Sequence, residues 1–358
     1  MDNETRYRDL IEALRARLGP NGVLTDPADT APYCEDWRRL YRGRTPAVLR
    51  PATTAEVADA VKLCAERGVP IVPQGGNTSM VGGAAVSVVG SEGTLGIITV
   101  AVLKLFPRPR GTAVALCAVA SPEAALDLFN RLQQHDAAAI QAYEYMSRAG
   151  IDLVLRYIPG AALPIATPAG HYVLIELATP REGAGVRAPV EEVLAAAMEG
   201  GIVLDAVIAE SRAQRAALWK LREEHSEAQK LAGASVKNDV SVPVSKVPEL
   251  IRRATEVCER LVPGIRCVPC GHLGDGNIHF NLVQPEAADA GKFLAQDHQL
   301  IDSVNNIVKD LDGSFSAEHG IGRLKPYMMP EWRGGAELGR IKKALDPEGL
   351  LNPGKLLP

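Results

Sequence analysis

The chain has 358 residues, 46% of them hydrophobic and 23% charged, with a formal net charge of −4. This is an ordinary globular composition. It excludes a disordered or fibrous chain, offers no basic excess for a nucleic-acid backbone, and its length allows two domains. The first residues, MDNETRYRDL, are polar, and no window approaches eighteen uninterrupted apolar residues, so the expectation is a soluble cytoplasmic protein without a membrane span. With no leader in view, the six cysteines read as free thiols.

In chain order, Leu10, Ile11, Leu14 and Leu18 recur at helical spacing and predict a helix over 5–18, which Gly19-Pro20 stops. Thr53 and Glu56 form a capping box for a second helix that carries Val57, Val61 and Cys64 and ends at Gly68. A short strand, VPIV at 69–72, then enters PQGGNTSMVGG. A strand feeding a glycine-rich loop is where backbone N–H groups meet a phosphate, although neither GK[ST] nor GxGxxG is present. Glycines 90, 93 and 96 precede an apolar run, Ile97 to Leu105, that reads as a long strand; a tight turn explains those glycines equally well.

From 112 onward, strand and helix signals alternate. Strands are expected at TAVALCAV, YVLIELAT and IVLDAVIA and around 236–242. Helices are expected to about 134 behind the cap Ser121-Pro122-Glu123, near 189–199, as one long element over 212–231, and near 247–261 and 296–311. The loosest segment, 159–170, reads as a surface loop. The pattern implies a layered α+β or α/β domain.

The stretch CGHLGDGNIHF, 270–280, places His272 and His279 seven positions apart with glycines between them. It reads as a loop running into a strand, with alternation putting His279 and Asn281 on one face and Phe280 on the other. Two convergent imidazoles suit Zn2+ or a similar ion, whereas the plainer alternative is a pair of hydrogen-bonded loop histidines. The CVPC pair, Cys267 and Cys270, lacks a second pair and reads as buried strand or strand-end thiols. Further on, SAEHGIG supplies Glu318, which can complete a His2Glu set with one position open, and His319, a candidate base.

Taken in order, PQGGNT, GSEGTLGIIT, LWKLREEHSEAQK, GHLGDGNIHFN, SAEHGIGRLK and DPEGLLNPGK resemble the flavin-dependent D-2-hydroxyacid dehydrogenases. That family includes D-lactate dehydrogenases, the glycolate oxidase flavoprotein subunit and D-2-hydroxyglutarate dehydrogenase. The resemblance implies an α+β chain: a vanillyl-alcohol-oxidase/PCMH-type FAD-binding domain over 1–109, a substrate (cap) domain with an antiparallel sheet over 110–325, and a segment over 326–358 that returns to the FAD domain. It implies FAD contacts at Gly75, Gly76, Asn77 and Thr78, at Gly93, Thr94 and Gly96, and at Asn352. A divalent metal, Zn2+ by ligand type, falls to His272, His279 and Glu318. Arg222, Ser226 and Lys237, with Asn281 beside them, match residues that hold the substrate carboxylate.

The implied chemistry is coherent. Arg222 offers a planar fork and Lys237 a point charge to the carboxylate. A metal on the 2-hydroxyl lowers its pKa, and His319 takes the proton while hydride passes to the flavin. On their own residues, Arg222 and Lys237 read first as a solvated helix face or strand end, Arg222 lying among Lys220, Glu223 and Glu224. The partners implied are a small 2-hydroxy acid and a separate electron acceptor, with no nucleic acid; a homodimer is left open. Between VGGA and VGSEGTLG the family carries about a hundred further residues, a domain's worth on the length prior, and this chain has almost none. The FAD domain is therefore expected to be truncated. A second reading follows from that: a metal-binding, hydroxy-acid-binding domain without flavin redox turnover.

Overall fold

The structure is a computed structural model that describes residues 3–35, 42–74, 92–102, 104–180, 185–332 and 334–357. By internal contacts it divides into two units, one formed by Met1–Lys104 with Glu318–Pro358, the other by Leu105–Ala317. The sequence placed these boundaries at 109/110 and 325/326.

The first unit opens with α1 (Asn3–Leu18), followed by a two-stranded antiparallel sheet, β1 (Val23–Leu24) with β2 (Val48–Leu49), and by α2 (Thr54–Ala65). Half of the expected capping box of α2 forms: the Thr53 hydroxyl accepts from Glu56 N at 3.2 Å, but the Glu56 carboxylate reaches Ala52 N at 2.7 Å rather than Thr53 N. Leu10 and Leu14 of α1 close on Val23, Ala60 and Cys64 in a small core.

Two expected strands do not form. The VPIV segment makes only an isolated parallel bridge between Ile71 and Leu351. The run from Ile97 has no strand among its described residues, and Val100, Val102, Leu105 and Phe106 are 75–98% exposed. A strand exists by pairing. Its apolar alternation creates the demand for a neighbour, and here no neighbouring strand meets it among the described residues.

The second unit is built on one antiparallel sheet. Its elements are β3 (Gly111–Val119), α3 (Pro122–Asp136), β4 (Ile140–Ser147), α4 (Arg148–Tyr157), β5 (His171–Thr179), α5 (Arg187–Glu199), β6 (Val203–Ile208), α6 (Arg212–Glu223) and α7 (His225–Leu231). There follow β7 (Ser235–Val236), β8 (Asp239–Ser241), α8 (Val247–Leu261), β9 (Arg266–His272), β10 (Asn277–Val283) and α9 (Asp297–Asp310). The strand order is β6-β3-β5-β4-β9-β10-β7, with β8 also paired to β10.

Helices cover both faces. Val114, Leu116, Met146, Leu174 and Val268 point from the sheet into a core shared with α4, α6 and α7. On the other face, Tyr143 packs against Phe129 of α3, its ring tilted by 52° at a centroid distance of 4.9 Å, and donates its hydroxyl to Ala125 O.

Three local expectations change. The stretch Ile140–Tyr157, unassigned from sequence, is a strand and a helix, with the Ser147 side chain capping α4 through Gly150 N. The single helix expected over 212–231 breaks at Glu224, whose ψ of 1° cannot continue the α turn, and becomes α6 and α7. The supposed loop around CVPCGH is strand β9, tied to both β4 and β10. Cys267 and Cys270 are accordingly free thiols on a strand. The hairpin between His272 and Asn277 turns on Gly276, at φ 82°, where a Cβ would lie 2.0 Å from Val242 O; only glycine fits.

Candidate functional site

Strand register assembles the site. Glu144 of β4 lies directly opposite His272 of β9. One row along, Met146, Cys270, His279 and Asp239 are opposed across β4, β9, β10 and β8, and in the next Val268 opposes Asn281. Because side chains alternate, Glu144, His272, His279, Asp239 and Asn281 all project from the sheet face that α4, α6 and α7 cover.

Glu144 is the hub, and the sequence reading missed it. Its carboxylate, 3% exposed, accepts from Arg222 Nε at 2.6 Å through one oxygen and meets His272 Nδ1 at 2.6 Å through the other. Burial alone would raise this carboxyl, but the His272 hydrogen bond and then the Arg222 guanidinium outweigh it and hold the group below the usual carboxylate range. The signal was present in IQAYEYMS, where Ala142, Glu144 and Met146 share one face and a lone acid sits among apolar residues. Arg222 is therefore no solvated helix-face residue: it is a half-buried member of an ion pair.

The two imidazoles converge. Their ring centroids lie 6.3 Å apart in an edge-on arrangement, and they offer nitrogens within 4.8 Å of one another. His279 Nδ1 stands 3.4 Å from the buried Asp239 carboxylate, an ion-pair distance rather than the 2.6 Å hydrogen bond that His272 makes. For His272, the Glu144 carboxylate against Nδ1 holds that nitrogen as the donor and leaves Nε2 with its lone pair outward, the tautomer a metal requires. The donor set thus fits a divalent ion. Asp239 is itself braced by Asn277 Nδ2 at 3.0 Å and Ala317 N at 3.2 Å. Glu318 and His319 belong to the first unit, whose second segment starts directly after Ala317.

The remaining substrate candidates divide. Lys237 Nζ donates to Gln229 Oε1, so its ammonium is held from α7. Asn281 is 7% exposed, and its Oδ1 has no hydrogen-bond partner among the described residues, an orphan acceptor facing the same side as the histidines. Ser226 is exposed on α7. Beside Arg222 and Gln229 the sequence reading also passed over His225, only 2% exposed, with both ring nitrogens unpartnered among the described residues. Burial, reinforced by Arg222, Lys237 and His279, pushes its pKa down to about 3. It fits only because residue 150 is glycine: a Cβ there would lie 2.3 Å from His225 Cε1.

A cavity of about 610 Å³ opens at this site. It is lined by α3, the first half of β4, α6 and the β9–β10 turn, and it reaches Glu144, Arg222 and His272.

In the first unit, Glu92 and Gly93 turn at φ 51° and 69°, and the Glu92 carboxylate accepts from Ile321 N and Gly322 N. Thr94 is buried at 1% exposure, Gly96 is half-buried, and Lys342 Nζ donates to Thr94 O at 2.7 Å. Asn352, at φ 44° and fully buried, donates Nδ2 to Glu92 O at 2.6 Å. Its Oδ1 has no partner among the described residues, an acceptor of the kind a bound cofactor N–H would satisfy. Gly75, Gly76, Asn77 and Thr78 lie outside the described residues.

Residues 108–356 match the family model "FAD linked oxidases, C-terminal domain", and residues 45–95 match "FAD binding domain". A D-2-hydroxyglutarate dehydrogenase of Xanthomonas citri pv. viticola is 37% identical over 275 residues, which is 75% of this chain and 56% of that protein. A mitochondrial D-2-hydroxyglutarate dehydrogenase of Bos taurus is 27% identical, covering 96% of this chain and 82% of its own. That alignment runs to 464 positions against 358 residues here, so at least 106 positions have no counterpart in this chain.

Among solved structures, p-cresol methylhydroxylase superposes with a TM-score of 0.62 at 11% identity, covering 99% of this chain and 97% of its own. Alkyldihydroxyacetonephosphate synthase gives 0.62 at 13% identity, over 96% and 84%. At such identities the likeness is one of fold. Among the described residues, no helix is long and apolar enough to cross a membrane.

Proposed function

This chain belongs to the FAD-linked oxidases, and on that premise we propose that it oxidises a D-2-hydroxy acid to the 2-oxo acid with FAD as the electron acceptor and a divalent metal, zinc by donor type, at the hydroxyl. The observation that carries the reading is the Glu144 carboxylate shared between Arg222 and His272. One buried acid thereby ties a carboxylate-binding guanidinium to a metal-binding imidazole.

His272 and His279 would hold the ion, with Glu318 the third ligand expected from the sequence. The chemistry such an ion supplies is Lewis-acid polarisation of oxygen. FAD, when bound, supplies the two-electron sink, with Asn352, Thr94, Gly93, Gly96 and the residues 75–78 as its contacts. Arg222 presents its guanidinium, and Lys237 its ammonium, to the substrate carboxylate, with Ser226 beside them. Asn281 Oδ1 accepts from the 2-hydroxyl or orients a water there. His319 takes the hydroxyl proton. The relatives named D-2-hydroxyglutarate dehydrogenase support the 2-hydroxy-acid class.

Replacing His272, His279 and Glu318 together by alanine is expected to abolish stoichiometric zinc in elemental analysis and, with it, retention of the 2-hydroxy acid in calorimetry. Unchanged metal content would remove the ion from the reading.

A further inference from the structure

The cavity at Arg222 and His272 also constrains the part of the substrate that does not react. With the carboxylate at Arg222 and the hydroxyl at the histidines, the third substituent on the reacting carbon lies next to this space. At about 610 Å³ it is far larger than a methyl group needs.

Its walls are apolar and flat. Phe129, Ile140 and Trp219 line it, and Trp219 is held in one orientation because its Nε1 donates to Glu176 Oε2 at 2.7 Å. A ring pinned in this way makes a fixed stacking wall at little entropic cost on binding. Apart from Arg222, His272 and the Tyr143 hydroxyl, the polar side chains of the lining are amides or acids. Gln133 and Gln141 supply neutral donors, while Glu223 and Asp275 add two carboxylates to that of Glu144. Among the described lining residues, Arg222 is the one guanidinium or ammonium, and Glu144 already shares it. A second carboxylate on the substrate tail would face Glu223 and Asp275, both exposed to solvent, without a cation of its own among the described lining residues.

We propose that the substrate of this chain is a 2-hydroxy acid with a large, uncharged side chain, aromatic in the best case, and that Trp219 selects it while Glu223 and Asp275 reject a dicarboxylate. This rests on the reading of the site given above.

The test is calorimetry on the full chain with zinc present, titrating D-mandelate, D-lactate and D-2-hydroxyglutarate in turn. D-Mandelate is expected to bind at least about 10-fold more tightly than either of the others. Trp219→Ala should reduce D-mandelate affinity by about 10-fold and leave D-lactate nearly unchanged. Because loss of the Glu176 hydrogen bond also loosens α6, a second variant is read beside it. Glu223→Lys, at an exposed position, should strengthen D-2-hydroxyglutarate binding by about 2- to 5-fold and leave D-mandelate unchanged.

D-2-Hydroxyglutarate binding to the parent as tightly as D-mandelate, or Glu223→Lys without effect on it, would overturn the inference while leaving the 2-hydroxy-acid site standing. Failure of all three acids to bind would overturn the site and the inference with it.

Discussion

Glu144→Ala is expected to cost about 3–5 kcal/mol of stability, the range for breaking one side of a buried ion pair, because it strips a 15%-exposed Arg222 side chain of the carboxylate beside it. Glu144→Gln keeps the volume and one acceptor, so it should fold, and it separates structure from function. With a neutral amide at 144, His272 loses the charged partner that holds its Nδ1 as donor. Its Nε2 is then no longer committed as the lone-pair nitrogen. Zinc affinity should fall about 10- to 100-fold in calorimetry, as measured for partners of metal-binding histidines elsewhere. Binding of the 2-hydroxy carboxylate should weaken in the same variant, since Arg222 is oriented by the other oxygen of the same group. Parent-like zinc affinity in a folded Glu144→Gln protein would reduce Glu144 to a structural acid.

His225→Leu is expected to make the protein markedly more resistant to mild acid. In the folded chain His225 is held neutral, with its pKa pushed down to about 3 by burial and by the neighbouring Arg222, Lys237 and His279. In the unfolded chain it titrates near its ordinary value of about 6.5. Between those two values the unfolded state binds one more proton, so stability is complete above about pH 6.5 and is lost progressively as pH falls towards 3. A buried leucine has no proton to gain and leaves no unpartnered ring nitrogen. Thermal unfolding of parent and variant from pH 7 to pH 4 should therefore show the variant losing several kcal/mol less. Parallel curves would mean that His225 is solvated, or partnered, in a way the structure does not show.

How much of this was legible in the sequence depended on whether a local signal was enough. The caps at Thr53 and Ser121 and the strands from Gly111, His171 and Val203 are local chemistry, and they form where the pattern places them. The two histidines were visible because glycines turn the chain between them; the hairpin that results brings their rings to 6.3 Å. The role of Glu144 was not visible, because its meaning lies in a register between β4 and β9, 128 residues apart, which no local pattern encodes. Arg222 looked solvated for the same reason: its charged neighbours in sequence, Lys220, Glu223 and Glu224, conceal a partner that lies 78 residues away.

The apolar run from Ile97 failed in the opposite direction. Its alternation is real, but the exposure of Val100 and Val102 shows a pattern without a described partner strand. That agrees with the hundred or so positions by which relatives exceed this chain. The residues of the second unit proposed for the metal and the substrate carboxylate do not share that loss. The protein is therefore expected to hold zinc near one equivalent while flavin falls short of one unless FAD is supplied in excess.

The most direct measurement is anaerobic mixing of the full chain, loaded with zinc and saturating FAD, with D- and L-2-hydroxy acids while the visible absorbance of the protein-bound flavin is followed. Bleaching by the D-acid, absent with the L-acid and lost in the variant lacking His272, His279 and Glu318, is the predicted result. No flavin retained at saturating FAD, or bound flavin that no 2-hydroxy acid bleaches, would contradict the account.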